Sequence, residues 1–161
     1  DVERSRGLGD VYKRQALALR GKAGIANSRL AYDVFVKAHA EGGKFDDLAA
    51  AGGHPQRLLW ASTSVKNPDY PDTLYVVELA GPDTVNTIPQ KTLKAMADHG
   101  EVKGDTLTGT GEEAAAVWQA IKNQGIALNA VVQMLEDQGV ASFIESWKNL
   151  VASVESRMKE D

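Results

Sequence analysis

The chain contains no cysteine, which removes disulfide scaffolds, thiolate zinc sites and cysteine nucleophiles together. That lack suits a cytoplasmic protein, the location expected here. Histidine is scarce as well. The three present, His39, His54 and His99, follow no metal-ligand spacing, so no metal is expected. His39 and His99 fall near predicted helix ends, where a histidine is favoured electrostatically. No apolar run approaches the roughly 20 residues of a membrane span, so no membrane partner is expected. Positive charge is in deficit, with 18 Lys and Arg against 22 Asp and Glu. A nucleic-acid backbone needs a broad basic face, and that partner is excluded, whereas one small phosphorylated ligand stays compatible. The Gly-x-Ser-x-Gly elbow, the Walker loop and the dinucleotide fingerprint are all missing. Gly109-Thr110-Gly111 is too short to be a phosphate loop.

What remains is an ordinary globular composition over 161 residues, 43% apolar and 25% charged, enough for one domain with a sizeable core. Asp1 to Gln15 has scattered charges and no apolar stretch. It reads as foreign or poorly placed sequence, such as an assembly scar, with the domain occupying residues 16–161.

From Gly21 to Ala40 a helix is predicted, with Ala26, Leu30 and Val34 at i, i+4 and i+8 and Glu41-Gly42-Gly43 ending it. A short helix over Phe45 to Ala51 follows. All five prolines then lie between Pro55 and Pro89. Within that stretch Leu58-Leu59-Trp60-Ala61 is an unbroken apolar run, the pattern of a strand covered on both faces. Asp72 is placed to cap a helix over Thr73 to Leu79. Thr84 to Ile88 reads as a β-branched strand, and Pro89 opens a helix to His99. Thr110-Gly111-Glu112-Glu113 fits a capping box. Helices over 129–138 and 140–158, packed on the same body, complete the chain, with Trp118 and Trp147 expected in the core.

Strand, loop, helix, strand, helix is the order of parallel strands joined by crossovers. Two strands do not make a self-sufficient parallel sheet, and a full barrel of alternating strands and helices takes roughly 250 residues. The fold class expected is therefore α/β: the C-terminal portion of a (β/α)8 barrel, about two parallel strands with their helices, plus C-terminal helices. On pattern alone the chain ends like a domain and starts in the middle of one.

In such architectures ligands sit beyond the carboxyl ends of the strands. The loop after Ala61 carries Ser62, Thr63 and Ser64, with the ammonium of Lys66 close behind. Hydroxyls and amides donate to phosphate oxygens and a lysine balances the charge, so one reading is a sugar-phosphate clamp. The other reading is a solvated loop with a surface lysine. A Schiff-base role for Lys66 would need burial or a cationic neighbour, and Asn67-Pro68-Asp69 supplies neither. Asn86, inside a predicted strand, either faces substrate or is a satisfied structural amide. Thr84 and Thr87 carry less information still.

Arg57 to Pro68, Asp72-Thr73-Leu74-Tyr75-Val76 and Gly81 to Pro89 resemble the penultimate strand, loop and last strand of bacterial transaldolases. Gly21-Lys22-Ala23-Gly24-Ile25-Ala26-Asn27 and Leu30-Ala31-Tyr32 resemble the helix before them. The resemblance runs from about Leu19 to the C-terminus and is most specific from Trp60 to Pro89. It is to the longer bacterial type, also found fused to glucose-6-phosphate isomerase. The resemblance implies a barrel of eight strands and a lysine on the fourth strand that forms a Schiff base. It implies transfer of a dihydroxyacetone unit from sedoheptulose 7-phosphate to glyceraldehyde 3-phosphate, in the pentose phosphate pathway, with no metal or organic cofactor. Ser62, Ser64 and Lys66 then occupy the substrate-phosphate loop, where shorter members place a serine and an arginine, and Asn86 is the candidate substrate-facing residue. No catalytic residue is assigned, because the Schiff-base lysine belongs upstream. The piece alone is expected to be inactive. A transaldolase half of the isomerase fusion and a non-catalytic sugar-phosphate-binding fragment are the alternatives.

Overall fold

The computed structural model describes residues 13–159. The reading of residues 1–12 as foreign sequence lies outside them, and residues 13–15 belong to a helical stretch at 13–18. The chain divides into two compact units, one up to Gln124 and one from Gly125 onward, and each is described by itself.

The first unit is α/β. Helix α1, Ala23–His39, buries Ala26 and Tyr32 and packs Ile25 and Phe35 against the core. Of the stripe expected at Ala26, Leu30 and Val34, Ala26 is buried and Leu30 half-buried, whereas Val34 is 67% exposed. Burial of two aromatic side chains removes more apolar area than burial of Leu30 and Val34, which turns the helix toward Tyr32 and Phe35. The Tyr32 hydroxyl donates to the Pro82 carbonyl at 3.2 Å, so its polar tip is not left unpaired. Helix α2, Asp46–Ala50, follows. His39, at the last turn of α1, donates from Nδ1 to the Phe35 carbonyl at 2.8 Å. Its ring sits between Phe35 and Phe45, with centroids 4.4 and 4.9 Å away.

Strands β1, Leu58–Ala61, and β2, Thr84–Thr87, pair in parallel, with Leu58 opposite Thr84 and Ala61 opposite Thr87. A parallel pair needs a crossover. Residues 62–83 supply it, including helix α3, Leu74–Glu78. The strand was expected to be covered on both faces, but only one is covered. Leu58 and Trp60 pack against the cluster of Tyr32, Leu79 and Leu107, while Leu59, pointing the other way, is 52% exposed. Alternation along a strand separates the two sets, and the bare face is the one that would look into a barrel.

Helix α4, Gln90–His99, follows Pro89. Helix α5, Gly111–Asn123, packs along α1. The two come close at Gly111, where a Cβ would stand 2.6 Å from the Asp33 carboxyl carbon. Two expected caps are not formed. No side chain caps α5, because the Thr110 hydroxyl donates to the Leu107 carbonyl at 2.7 Å instead. Asp72 does not cap α3, because His99 holds its carboxylate at 2.9 Å.

The second unit is one helix, α6, Leu128–Met158, of 31 residues, where two helices were expected. Gly139 lies within it and costs about 1 kcal/mol relative to alanine, too little to break a helix with no proline. At 1.5 Å per residue it is roughly 45 Å long. Trp147, expected in the core, is 65% exposed, and Phe143, Ile144 and Leu150 are exposed with it. No described helix is long and apolar enough to cross a membrane.

Candidate functional site

Helix α1 and the β1–β2 pair place the polar loop 62–68 at the carboxyl ends of both strands. The chain leaves β1 through Ser62, whose φ of +50° is left-handed. A non-glycine residue there costs about 1–2 kcal/mol, so neighbouring contacts must hold it. Two hydroxyl bridges do so. The Ser62 amide donates to Thr87 Oγ1 at 3.1 Å, and that same hydroxyl donates to the Trp60 carbonyl at 3.1 Å. Next along the loop, Thr63 is buried and its hydroxyl donates to Asn86 Oδ1 at 2.7 Å. Trp60 is anchored below by its indole N–H, which donates to the Leu79 carbonyl at 3.0 Å.

A cavity of about 280 Å³ opens beside this strand end, with Gly24, Ser28, Trp60, Ser62, Thr63 and Tyr75 in its wall. Ser62 is exposed there, ready to donate its hydroxyl. Ser64 is half-buried and Lys66 exposed, and both lie beyond that cavity wall. The Lys66 ammonium has no hydrogen bond or ion pair among the described residues. Asn86 shares the register position of Trp60, hence the strand face packed against the helices, and its carbonyl oxygen is taken by Thr63. The sequence-predicted residues Ser62 and Asn86 are thus joined through Thr63 and Thr87. Thr63 was read as one of three candidate phosphate donors and Thr87 as uninformative; their bridging roles were not foreseen, because both bonds cross from loop or strand to the neighbouring strand.

Elsewhere in this unit a cleft of about 360 Å³ lies between α1, α3 and α5, with Arg20, Lys22, Arg29, Tyr70, Glu78 and Glu113 among its walls. Three of its charged walls are paired: Arg20 meets Asp69 at 3.4 Å. Arg29 and Lys103 both pair with Glu78 at 3.0 Å. Among the described residues the guanidinium Nε of Arg29 is buried without a hydrogen-bond partner. Among the described residues no three His, Asp or Glu side chains gather into a metal site.

His99 touches two carboxylates, Asp72 through Nε2 at 2.9 Å and Asp98 through Nδ1 at 3.0 Å. The bond to Asp72, then that to Asp98, raises the imidazole above its ordinary value. Reciprocally, the His99 bond lowers the Asp72 carboxyl. Asp105 is also lowered, by the side-chain and backbone groups of Thr108 and by the Leu107 amide, whose N–H groups both donate to Oδ1 at 3.0 Å.

With this geometry in place, comparison with known proteins gives one consistent answer. A family model described as transaldolase/fructose-6-phosphate aldolase matches residues 2–154. A transaldolase of Mycolicibacterium paratuberculosis is 47% identical over 158 residues, covering 98% of this chain and 42% of that protein. Transaldolases of Mycobacterium tuberculosis and Mycobacterium leprae match over the same shares at 47% and 46% identity. The chain therefore spans about two-fifths of the length of the curated relatives it matches. The family match begins at residue 2, inside the stretch that composition sets apart.

Proposed function

The chain belongs to the transaldolase/fructose-6-phosphate aldolase family, and from that premise we propose that it is the phosphate-holding sector of a transaldolase barrel. Its substrates are then sugar phosphates, with a dihydroxyacetone unit passing from sedoheptulose 7-phosphate to glyceraldehyde 3-phosphate. In this reading a lysine amine attacks the ketose carbonyl, and the resulting iminium accepts the electron pair when the carbon–carbon bond breaks. Neither β1 nor β2 contains a lysine, and the family places that residue on an earlier strand. The amine is therefore assigned outside this chain, and the piece alone does not turn over.

What this sector contributes is charge and orientation at the far end of the substrate. A phosphate dianion takes hydrogen bonds from the Ser62 and Ser64 hydroxyls and from loop amides, and the Lys66 ammonium balances its charge. Holding the phosphate fixes where the carbonyl lies, which is binding used for orientation. The single observation that carries the proposal is the Lys66 ammonium, without a hydrogen bond or ion pair among the described residues, on the loop leaving β1 in a chain 47% identical to a curated transaldolase.

Two arms test it. Borohydride added to the chain with fructose 6-phosphate is expected to trap no adduct by mass spectrometry, and a stable adduct would place the reactive amine here after all. Fructose 6-phosphate binding is expected to weaken about tenfold or more in Lys66→Ala, the scale of one charge-assisted contact. Unchanged binding in that variant removes the site assignment and leaves family membership standing.

A further inference from the structure

Four residues at the open end of the sheet form a unit that the phosphate reading does not itself require. Ser62 and Thr63 are consecutive in the loop, and Asn86 and Thr87 are consecutive in β2. Each loop residue is held by one strand residue. The Thr87 hydroxyl accepts from the Ser62 amide and donates to the Trp60 carbonyl, both at 3.1 Å. The Asn86 amide oxygen accepts from the buried Thr63 hydroxyl at 2.7 Å. A hydroxyl both accepts and donates, so threonine bridges positions 60 and 62 in a way valine does not. Ser62 is left-handed without being glycine, a conformation that persists where surrounding contacts over-determine it.

We propose that Thr87 and Asn86 are positioning residues: together they lock the Ser62–Thr63 peptide so that the Ser62 hydroxyl is presented to the substrate phosphate. This rests on the phosphate reading of the loop given above. The consequence is that the last strand, which supplies no group to the phosphate, sets the geometry of the loop that does. Thr63 is then spent on structure, which leaves Ser62 and Ser64 as the free hydroxyls of the loop.

The test uses the isotopically labelled full chain, with two separate readouts. The Ser62 amide, followed by hydrogen exchange and by its amide–α-proton coupling, reports the clamp. Titration with inorganic phosphate reports the site. In Thr87→Val the Ser62 amide is expected to exchange faster and change its coupling. Phosphate affinity is expected to fall about tenfold, the size of one lost hydrogen bond, with both restored in Thr87→Ser. A Ser62 amide unchanged in Thr87→Val overturns the clamp. A changed amide with unaltered phosphate affinity overturns its positioning role. Should Thr87→Val fail to fold, Thr63→Val releases the second contact and is read in the same way. A wild-type chain that binds no phosphate overturns the site reading instead, and the Ser62 amide still decides the clamp.

Discussion

At the scale of single residues, the proposed site rests on hydroxyls whose surroundings differ although their chemistry does not. Ser62 is exposed and strained, Thr63 is buried and bonded, and Ser64 is half-buried. The run of three was legible in the sequence as a donor-rich loop after an apolar strand. The division of labour was not, because it depends on which residues of β2 lie alongside, and register is a property of pairing rather than of local pattern. Trp147 marks another limit: an apolar position at helical spacing records a face able to be buried, not a neighbour that buries it. Leu107 lies where the neighbours are present, 1% exposed beneath Tyr32 and Leu79. Leu107→Ala is expected to destabilise the first unit by about 2–5 kcal/mol, the usual cost of lost contacts plus a cavity. Urea unfolding followed by tryptophan fluorescence measures it.

At the scale of elements, helices α1 to α5 were legible to within a residue or two, α6 was read as two helices, and capping was read less well. Capping competes with longer-range partners that sequence spacing does not display. Asp72 sits where a cap belongs, yet His99, 27 residues later, takes its carboxylate. That link ties the end of α4 to the start of α3, and its pH dependence has a definite sign. The His99 imidazole is raised in the folded state, so its contribution is complete below the ordinary histidine value and disappears as pH rises through the folded one. The Asp72 carboxyl is lowered, so its part is complete above the ordinary aspartate value and vanishes as pH falls through its folded value. His99→Gln is therefore expected to lower the melting temperature at pH 5.5 and to lose that deficit at pH 8.5. An equal deficit at both pH values would show that the imidazole's charge is not involved.

Two glycines separate helix packing from helix continuity. At Gly111 a methyl group would meet Asp33 at 2.6 Å, so Gly111→Ala is expected to cost about 1–3 kcal/mol through overpacking of α1 on α5. At Gly139 nothing lies within 4 Å, and Gly139→Ala is expected to stabilise α6 by about 0.5–1 kcal/mol. Calorimetry of the two variants should move in opposite directions. A loss of stability in Gly139→Ala would argue for a break at that position, as the sequence first suggested.

At the scale of the whole molecule, the α/β class and the parallel pairing were readable from element order, because two strands separated by a helix-bearing crossover have few other arrangements. The bare face of β1 was not readable, since the run Leu58 to Ala61 is apolar on both sides and records a covering that this piece does not itself supply. Leu59 at 52% exposure and the outer edges of a two-stranded sheet are surfaces that a closed barrel covers. A chain spanning 42% of its curated relatives fits that description. The central claim is that the mouth of the sheet, and not the cleft between α1 and α5, receives the phosphorylated sugar. Amide shifts of the labelled chain titrated with fructose 6-phosphate test it most directly. Movement concentrated at residues 62–66, with Arg20, Lys22 and Val117 still, is the predicted result. Movement confined to those three cleft residues, or none along the loop, would contradict it.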